Sequence, residues 1–473
     1  MDTKVTLPEQ DGVYYVRLAI DAETPWWIDI QFYKDSSEIL LKHRRRRAAR
    51  QADNSKVEQV SAFEETYLDF WDSVLSFLTG LDFLQVHGAM LSGMMRGLEV
   101  RKLLDERAII KIKERERFVY YSVRETTLVD ALKIIRSDTE TIRFTNNLPT
   151  LLVPALMATF DSFVMRTISN ILTSRPEIAK SMKKQISLAE LLDFPTIEVA
   201  RASLIEKEIQ GVMRDSHESH INWIGQVLKV PLEPEGRLKT DFFELCERRN
   251  IITHNGGRIN KIYLENCAKY GLDTGQLDEG AAVATDAAYV FQAVNCVVEM
   301  ATKISQVVWR KVDPATQERA EKTMNHITYE LIKRERYELA NRLFDFCRND
   351  FKKWASDPYR LQNIVNHANA LRLSGDKAGA EKLIDTESWV AKSLEYKISV
   401  AAVREDVAEV VSLLKGPGIG TEIKEIDLLQ WPVFRGIRET SEFRAAFKEV
   451  FGVDSLGQEE PENTSTVQNS ATP

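Results

Sequence analysis

The 473-residue chain has only four cysteines, Cys246, Cys267, Cys296 and Cys347, and no two form a C-x-x-C pair. That spacing excludes a zinc ribbon and a disulfide scaffold and suits a reducing cytosol. Histidine is scarce too, at seven residues. Excess positive charge is lacking: 63 Lys and Arg stand against 71 Asp and Glu, a formal net charge of −8. Any nucleic-acid contact must therefore use a local patch. The opening "MDTKVTLPEQDG" is acidic and polar and carries no secretory signal. The most apolar run, "LLVPALMATFDSFVM", is interrupted by Pro154 and Asp161 and reads as too short to span a bilayer, so no membrane partner is expected. Phosphate-loop spacing is missing as well: "LSGMMRGLEV" lacks it, and "GPGIG" near residue 416 is not followed by Lys-Ser/Thr. No carboxylate cluster has convincing metal spacing, so neither a metal nor another cofactor is expected. His217 and His220, with Glu218, form a weaker alternative metal set.

What is present is a soluble globular composition, 44% hydrophobic and 28% charged, in a chain long enough for two or three domains. "VYYVRLAI" and "WWIDIQFY" are β-branched and aromatic and predict strands, with "DAETP" as the turn. The basic run "KHRRRRAAR" (42–50) could contact phosphates, although a solvated face explains it equally simply; Trp26-Trp27 could stack bases or pack in a core. From about Lys56, Phe63, Tyr67, Phe70, Trp71, Val74, Leu75 and Leu78 recur at helical spacing. "AIIKIKERERFVYYSV" alternates and suggests two short strands, and "TLVDALKII" a short helix. Residues 1–142 thus read as a mixed α/β module, a sensor or regulator of unknown fold.

Residues 147–312 read as helix throughout. The second long segment has a possible break near Ser216–Ser219; the third, "LKTDFFELCERRNIITH", is stopped by Asn255, Gly256 and Gly257; the fourth is mostly apolar. Long helices with one polar notch suggest a four-helix bundle. Over 313–453 a weak repeat pairs Tyr337 with Lys377, Ala340 with Ala380 and Phe344 with Ile384, and Val407, Val410 and Leu414 repeat the form. A small residue followed four later by a large apolar one resembles tetratricopeptide-type packing. The expected fold class is mainly α: an N-terminal α/β module, a central bundle and C-terminal helical repeats, with residues 454–473 a disordered tail.

An arginine followed within a few residues by histidine occurs four times: Arg214–His220, Arg249–His254, Arg319–His326 and Arg360–His367. Only "RRNIITHNGG" adds an asparagine after the arginine and a glycine stop after the histidine. On a helix Asn250 and His254 share a face, whereas Arg249 points about 140° from His254. The negative end of the helix dipole attracts a cation there, and histidine is the side chain that exchanges protons near neutral pH.

The Arg-Asn-x-x-x-His segment (Arg249, Asn250, His254), with the following "NGG" and Asn-x-x-Tyr (Asn260 to Tyr263) in the third helix of a bundle, resembles the HEPN domain (higher eukaryotes and prokaryotes nucleotide-binding). The resemblance covers about 147–312. It implies a metal-independent endoribonuclease that acts as a homodimer, two copies of the motif facing across a cleft. By that resemblance His254 is the general acid or base on the RNA 2′-hydroxyl and leaving oxygen, Arg249 stabilises the phosphorane-like transition state, and Asn250 positions the phosphate or the histidine. Arg248, Arg258, Asn260 and Tyr263 are candidate substrate-binding residues; Tyr263 is also a weaker candidate acceptor for nucleotidyl modification. Fusions of this type imply antiviral defence or a toxin system in the cytoplasm, with a protein or phage-derived trigger sensed by the flanking domains. The competing reading is a non-catalytic dimerisation protein whose repeats bind a partner.

Overall fold

The computed structural model describes residues 15–20, 28–33, 61–108, 110–115, 118–136, 139–180 and 187–452. These are mainly helical and belong to two compact units, Met1–Ser61 and Ala62–Pro473. In the first unit, β1 (Tyr15–Ile20) and β2 (Ile28–Tyr33) pair antiparallel, Leu18 opposite Ile30, as their β-branched and aromatic residues predict. The basic run 42–50, Trp26, Trp27 and the tail 454–473 lie outside the described residues.

The second unit opens with α1 (Ala62–Arg107), an antiparallel ribbon of β3 (Ile110–Arg115) and β4 (Phe118–Ser122), and α2 (Glu125–Arg136). Next come α3 (Thr139–Ser174), α4 (Pro176–Lys180), α5 (Leu188–Leu192), α6 (Ile197–Met213), α7 (His217–Leu228), α8 (Gly236–His254), α9 (Lys261–Lys269) and α10 (Ala287–Val312). The ribbon lies where alternation predicts it. The domain boundary does not fall near residue 142. Phe63, Tyr67, Phe70, Trp71, Val74 and Leu78 of α1 are buried in the same core as α3, α8 and α10. Phe70 meets Phe163 of α3 at 5.1 Å between ring centroids, and the Tyr67 hydroxyl bonds Thr302 of α10. The apolar face that marked α1 as helical is the face of a bundle helix.

The predicted break in the second long segment occurs at Arg214–Ser216, where the Ser216 hydroxyl caps α7 by accepting from Ser219 N at 3.2 Å. Helix α3 starts earlier than expected and runs through Pro149 and Pro154. It is also longer than the apolar run suggested: within Asn147–Ser174 an 18-residue window has a mean hydropathy of 1.5, so the helix is long and apolar enough to cross a membrane. Here Leu156, Met157, Phe160, Val164, Ile168 and Ile171 face the bundle core.

Beyond α10 lie α11 (Gln317–Lys333), α12 (Tyr337–Asp350), α13 (Asp357–Leu373), α14 (Lys377–Ile384), α15 (Leu394–Val403), α16 (Val407–Leu414), α17 (Glu425–Gln430) and α18 (Ser441–Phe451). The residues aligned in sequence, Tyr337, Lys377 and Val407, each begin the second helix of a hairpin. Ala340, Ala380 and Val410, and four residues later Phe344, Ile384 and Leu414, are all buried. The three turns share one geometry. Glu335, Gly375 and Glu405 have positive φ, and the next amide donates back to Leu331 O, Leu371 O and Ala401 O at 2.9, 2.9 and 3.0 Å. That bond closes the helix end at a left-handed residue. No core boundary falls at 312/313: Met324, Leu331, Leu343 and Phe344 share one core with Trp309, and Arg342 pairs with Glu299 at 2.6 Å. A second core gathers residues from Leu361 to Phe447.

His367 of α13 is 4% exposed and stacks on Phe344 at 5.0 Å between centroids. Burial lowers its imidazole from 6.5 to about 4, Asp345 opposing. Between these values the unfolded chain binds a proton that the folded chain refuses. Stability is therefore expected to fall as pH drops through that window, by up to ~3 kcal/mol. Urea unfolding at the two ends of the window should show a clearly smaller loss in His367→Gln than in wild type.

Candidate active site

Helix α8 buries Phe242, Phe243, Leu245, Cys246, Ile251 and the carboxylate Glu244, and carries most of its other polar residues on the remaining surface. It ends where the sequence predicts. Asn255 N and Gly257 N both donate to Ile251 O, at 2.8 and 2.9 Å. Gly256 and Gly257 have φ of 60° and 71°, a backbone that side-chain-bearing residues adopt only with strain. His254 is therefore the last helical residue, and it is exposed.

Arg249 is half-buried and turned toward α3 and α7, where its guanidinium lies 3.7 Å from Asp161 Oδ2. The other carboxylate oxygen, Oδ1, is 2.7 Å from His217 Nε2. His220 lies one turn beyond, its ring centroid 5.4 Å from that of His217. Burial alone would raise the Asp161 carboxyl, but the His217 hydrogen bond and the charges of His217, Arg249 and His220 hold it below the ordinary value. His220 is 3% exposed, and neither ring nitrogen completes a hydrogen bond. Desolvation and then the His217 charge lower its pKa, so its proton is given up easily.

The expected site residues divide into two groups. Arg249, Asn250 and His254 keep solvent-facing surface in the last two turns of α8, and Asn250 makes no side-chain hydrogen bond among the described residues. No ion pair or hydrogen bond joins Arg249 to His254 there, in keeping with their angular offset. The other four each hold a partner within the chain. Arg248 stacks on Tyr289 at 3.8 Å, pairs with Glu244 at 2.7 Å and bonds the Ala284 carbonyl. Tyr263 is 1% exposed, its hydroxyl donating to Glu244 at 2.6 Å. Both are engaged by the buried carboxylate of Glu244. Arg258 bonds the Gly280 carbonyl at 2.9 Å, and Asn260 caps α9 by accepting from Tyr263 N at 2.8 Å.

Sequence reading missed Asp161 as a partner of Arg249. Its signal was the lone charge inside the apolar run "LLVPALMATFDSFVM"; its target, 88 residues away, was not readable. His217 and His220 were noticed as a metal pair with Glu218, but Glu218 bonds Lys269 and Tyr270 at 2.8 and 2.9 Å instead. Among the described residues no group of three metal-capable side chains exists.

Asp161→Asn is expected to cost ~1–2 kcal/mol in chemical denaturation near pH 7, through a weakened charge-assisted hydrogen bond to His217. The Asp161 pKa is depressed, so its contribution is complete above the ordinary carboxylate range and fades as pH falls through the folded value. The gap between wild type and variant should close in acid; a gap constant with pH would contradict this account.

No family model, curated protein or solved structure matches the chain. The functional reading therefore rests on the motif, its setting in α8 and the chemistry around it.

Proposed function

We propose that the protein is a metal-independent endoribonuclease of the HEPN type, acting as a homodimer in the cytoplasm. The observation that supports this reading best is an exposed His254 at the carboxyl end of a bundle helix, five residues after an Arg249 whose guanidinium is held at the surface by Asp161. RNA cleavage by its own 2′-hydroxyl needs a proton shuttle near neutral pH and a cation on the non-bridging oxygens. Histidine and arginine supply both. In this reading His254 moves the proton, Arg249 meets the developing charge, and Asn250, with a free amide, orients the phosphate or His254. The paired helices after α10, with a tetratricopeptide-like repeat, and the N-terminal unit Met1–Ser61 would sense a protein or phage-derived trigger in a defence or toxin system.

One observation favours a second reading, a non-catalytic dimerisation protein whose repeats bind a partner: Arg249 is already paired within its own chain and does not converge on His254. Cleavage of RNA in the presence of a chelator separates the two. Wild type is compared with His254→Ala and Arg249→Ala, and cleavage that survives both substitutions would reject the nuclease assignment.

A further inference from the structure

A cavity of about 340 Å³ is lined by α11, α13, α15 and the segment Trp431–Val433, away from α8. Its walls include Tyr329, Tyr359, Tyr396 and Trp431. The Tyr396 ring is fixed because its hydroxyl donates to Pro358 O at 2.9 Å. Glu395 also lines the cavity, and among the described residues no basic side chain acts on it. Glu395 keeps an exposed side, and partial desolvation, then the Asp427 charge, raise its carboxyl above the ordinary value. The cavity thus combines aromatic walls with a carboxylate that has no ion-pair partner among the described residues, while Arg438 bonds Trp431 O and acts on Tyr329 from outside the lining. Aromatic faces and a carboxylate together attract an ammonium or guanidinium group.

Two further features narrow the ligand. Asn366 lines the cavity, and its side-chain nitrogen is buried without a hydrogen-bond partner. By contrast, the Asn325 amide is already spent on Tyr359 O at 2.8 Å. A buried free donor calls for an acceptor such as a main-chain carbonyl. Lys322 and His326 line the cavity on α11, Lys322 about 10 Å along the helix from Tyr329, so a cation is disfavoured at that end.

We infer that this cavity binds an extended peptide segment of a partner through one lysine or arginine side chain. The cation sits between the aromatic walls against Glu395, and a main-chain carbonyl of the segment accepts from Asn366. A polyamine offers the charge without the carbonyl; a phosphate group would meet Glu395 as a like charge. The inference does not depend on nuclease activity.

The full chain is tested against an array of short random peptides, and the best binders are titrated by calorimetry. Bound peptides should be enriched in Lys or Arg. Glu395→Gln should weaken the best of them by about tenfold or more and erase that enrichment. Asn366→Ala should weaken binding by about fivefold without changing the preference for basic residues. Glu395 lies outside the buried cores, so its variant should fold, as circular dichroism would check. The proposal is overturned if no peptide binds, if binders are not basic, or if Glu395→Gln binds them as wild type does. It also fails if spermidine binds as tightly as the best peptide with the same dependence on Glu395.

Discussion

His254→Ala is expected to lower metal-free RNA cleavage by ~10²–10⁴-fold, the usual worth of a positioned acid or base. Arg249→Ala should cost ~10²–10³-fold, as does removal of one group that meets the transition-state charge. Within one chain these two side chains diverge: Arg249 is bound toward α3 and α7, whereas His254 ends the helix beside Gly256. A complete site therefore needs either a local opening of the last turn or an arginine from a second copy. The last turn is closed by two bonds to the Ile251 carbonyl, which disfavours opening. The second copy is the simpler source, and it makes a sharper test. If each site combines Arg249 of one protomer with His254 of the other, mixing the two inactive variants rebuilds one site per mixed dimer. Activity should return to about a quarter of wild type, half the dimers being mixed and each holding one of two sites. If each site uses its own chain's pair, mixing restores nothing. Restoration would also sink the reading in which the bundle only dimerises.

The contrast between Arg248 and Arg249 shows where sequence stops informing. Both are adjacent arginines of the same helix, and spacing alone offers either to a phosphate. Their roles are decided by partners far along the chain: Glu244, Tyr289 and the Ala284 carbonyl for Arg248, Asp161 for Arg249. Local features were legible. The glycine stop of α8, the break at Ser216, the ribbon after α1 and the aligned Ala340 and Ala380 each follow from short-range rules of helix ends, alternation and small-residue packing. The boundary placed near residue 142 was not. The apolar face of α1 is the same whichever element covers it, and only the packed bundle shows that α3 and α10 do. Likewise, nothing in the helix after α10 announces that it shares the core of Trp309.

Glu244→Ala is expected to destabilise the fold by ~3–5 kcal/mol in urea or thermal unfolding, the cost of leaving a buried charge without its partner. Glu244 is 7% exposed and accepts three bonds. Its Oε1 takes Arg248 Nε at 2.7 Å and the Tyr263 hydroxyl at 2.6 Å, and its Oε2 takes the Tyr289 hydroxyl at 2.7 Å. One carboxylate therefore ties α8, α9 and α10 together. Its loss leaves the Arg248 guanidinium, stacked on Tyr289, without its carboxylate and with only Ala284 O and Thr285 as partners, and takes the acceptor from two phenols whose burial already pushes their ionisation well above the ordinary range. Tyr263→Phe provides the scale: it removes one hydroxyl and leaves the Arg248–Glu244 pair intact, so it should cost only ~1 kcal/mol. Glu244→Gln should fall between the two, because the amide keeps one acceptor but turns a donor toward groups that also donate. The network matters to the site because it fixes both ends of the segment from Asn255 to Asp286 that follows His254. A Glu244→Ala chain that is still folded at low temperature should therefore lose cleavage out of proportion to its folded fraction. Equal costs for Glu244→Ala and Tyr263→Phe would mean that Arg248 finds another partner, and that the carboxylate does not organise this end of the bundle.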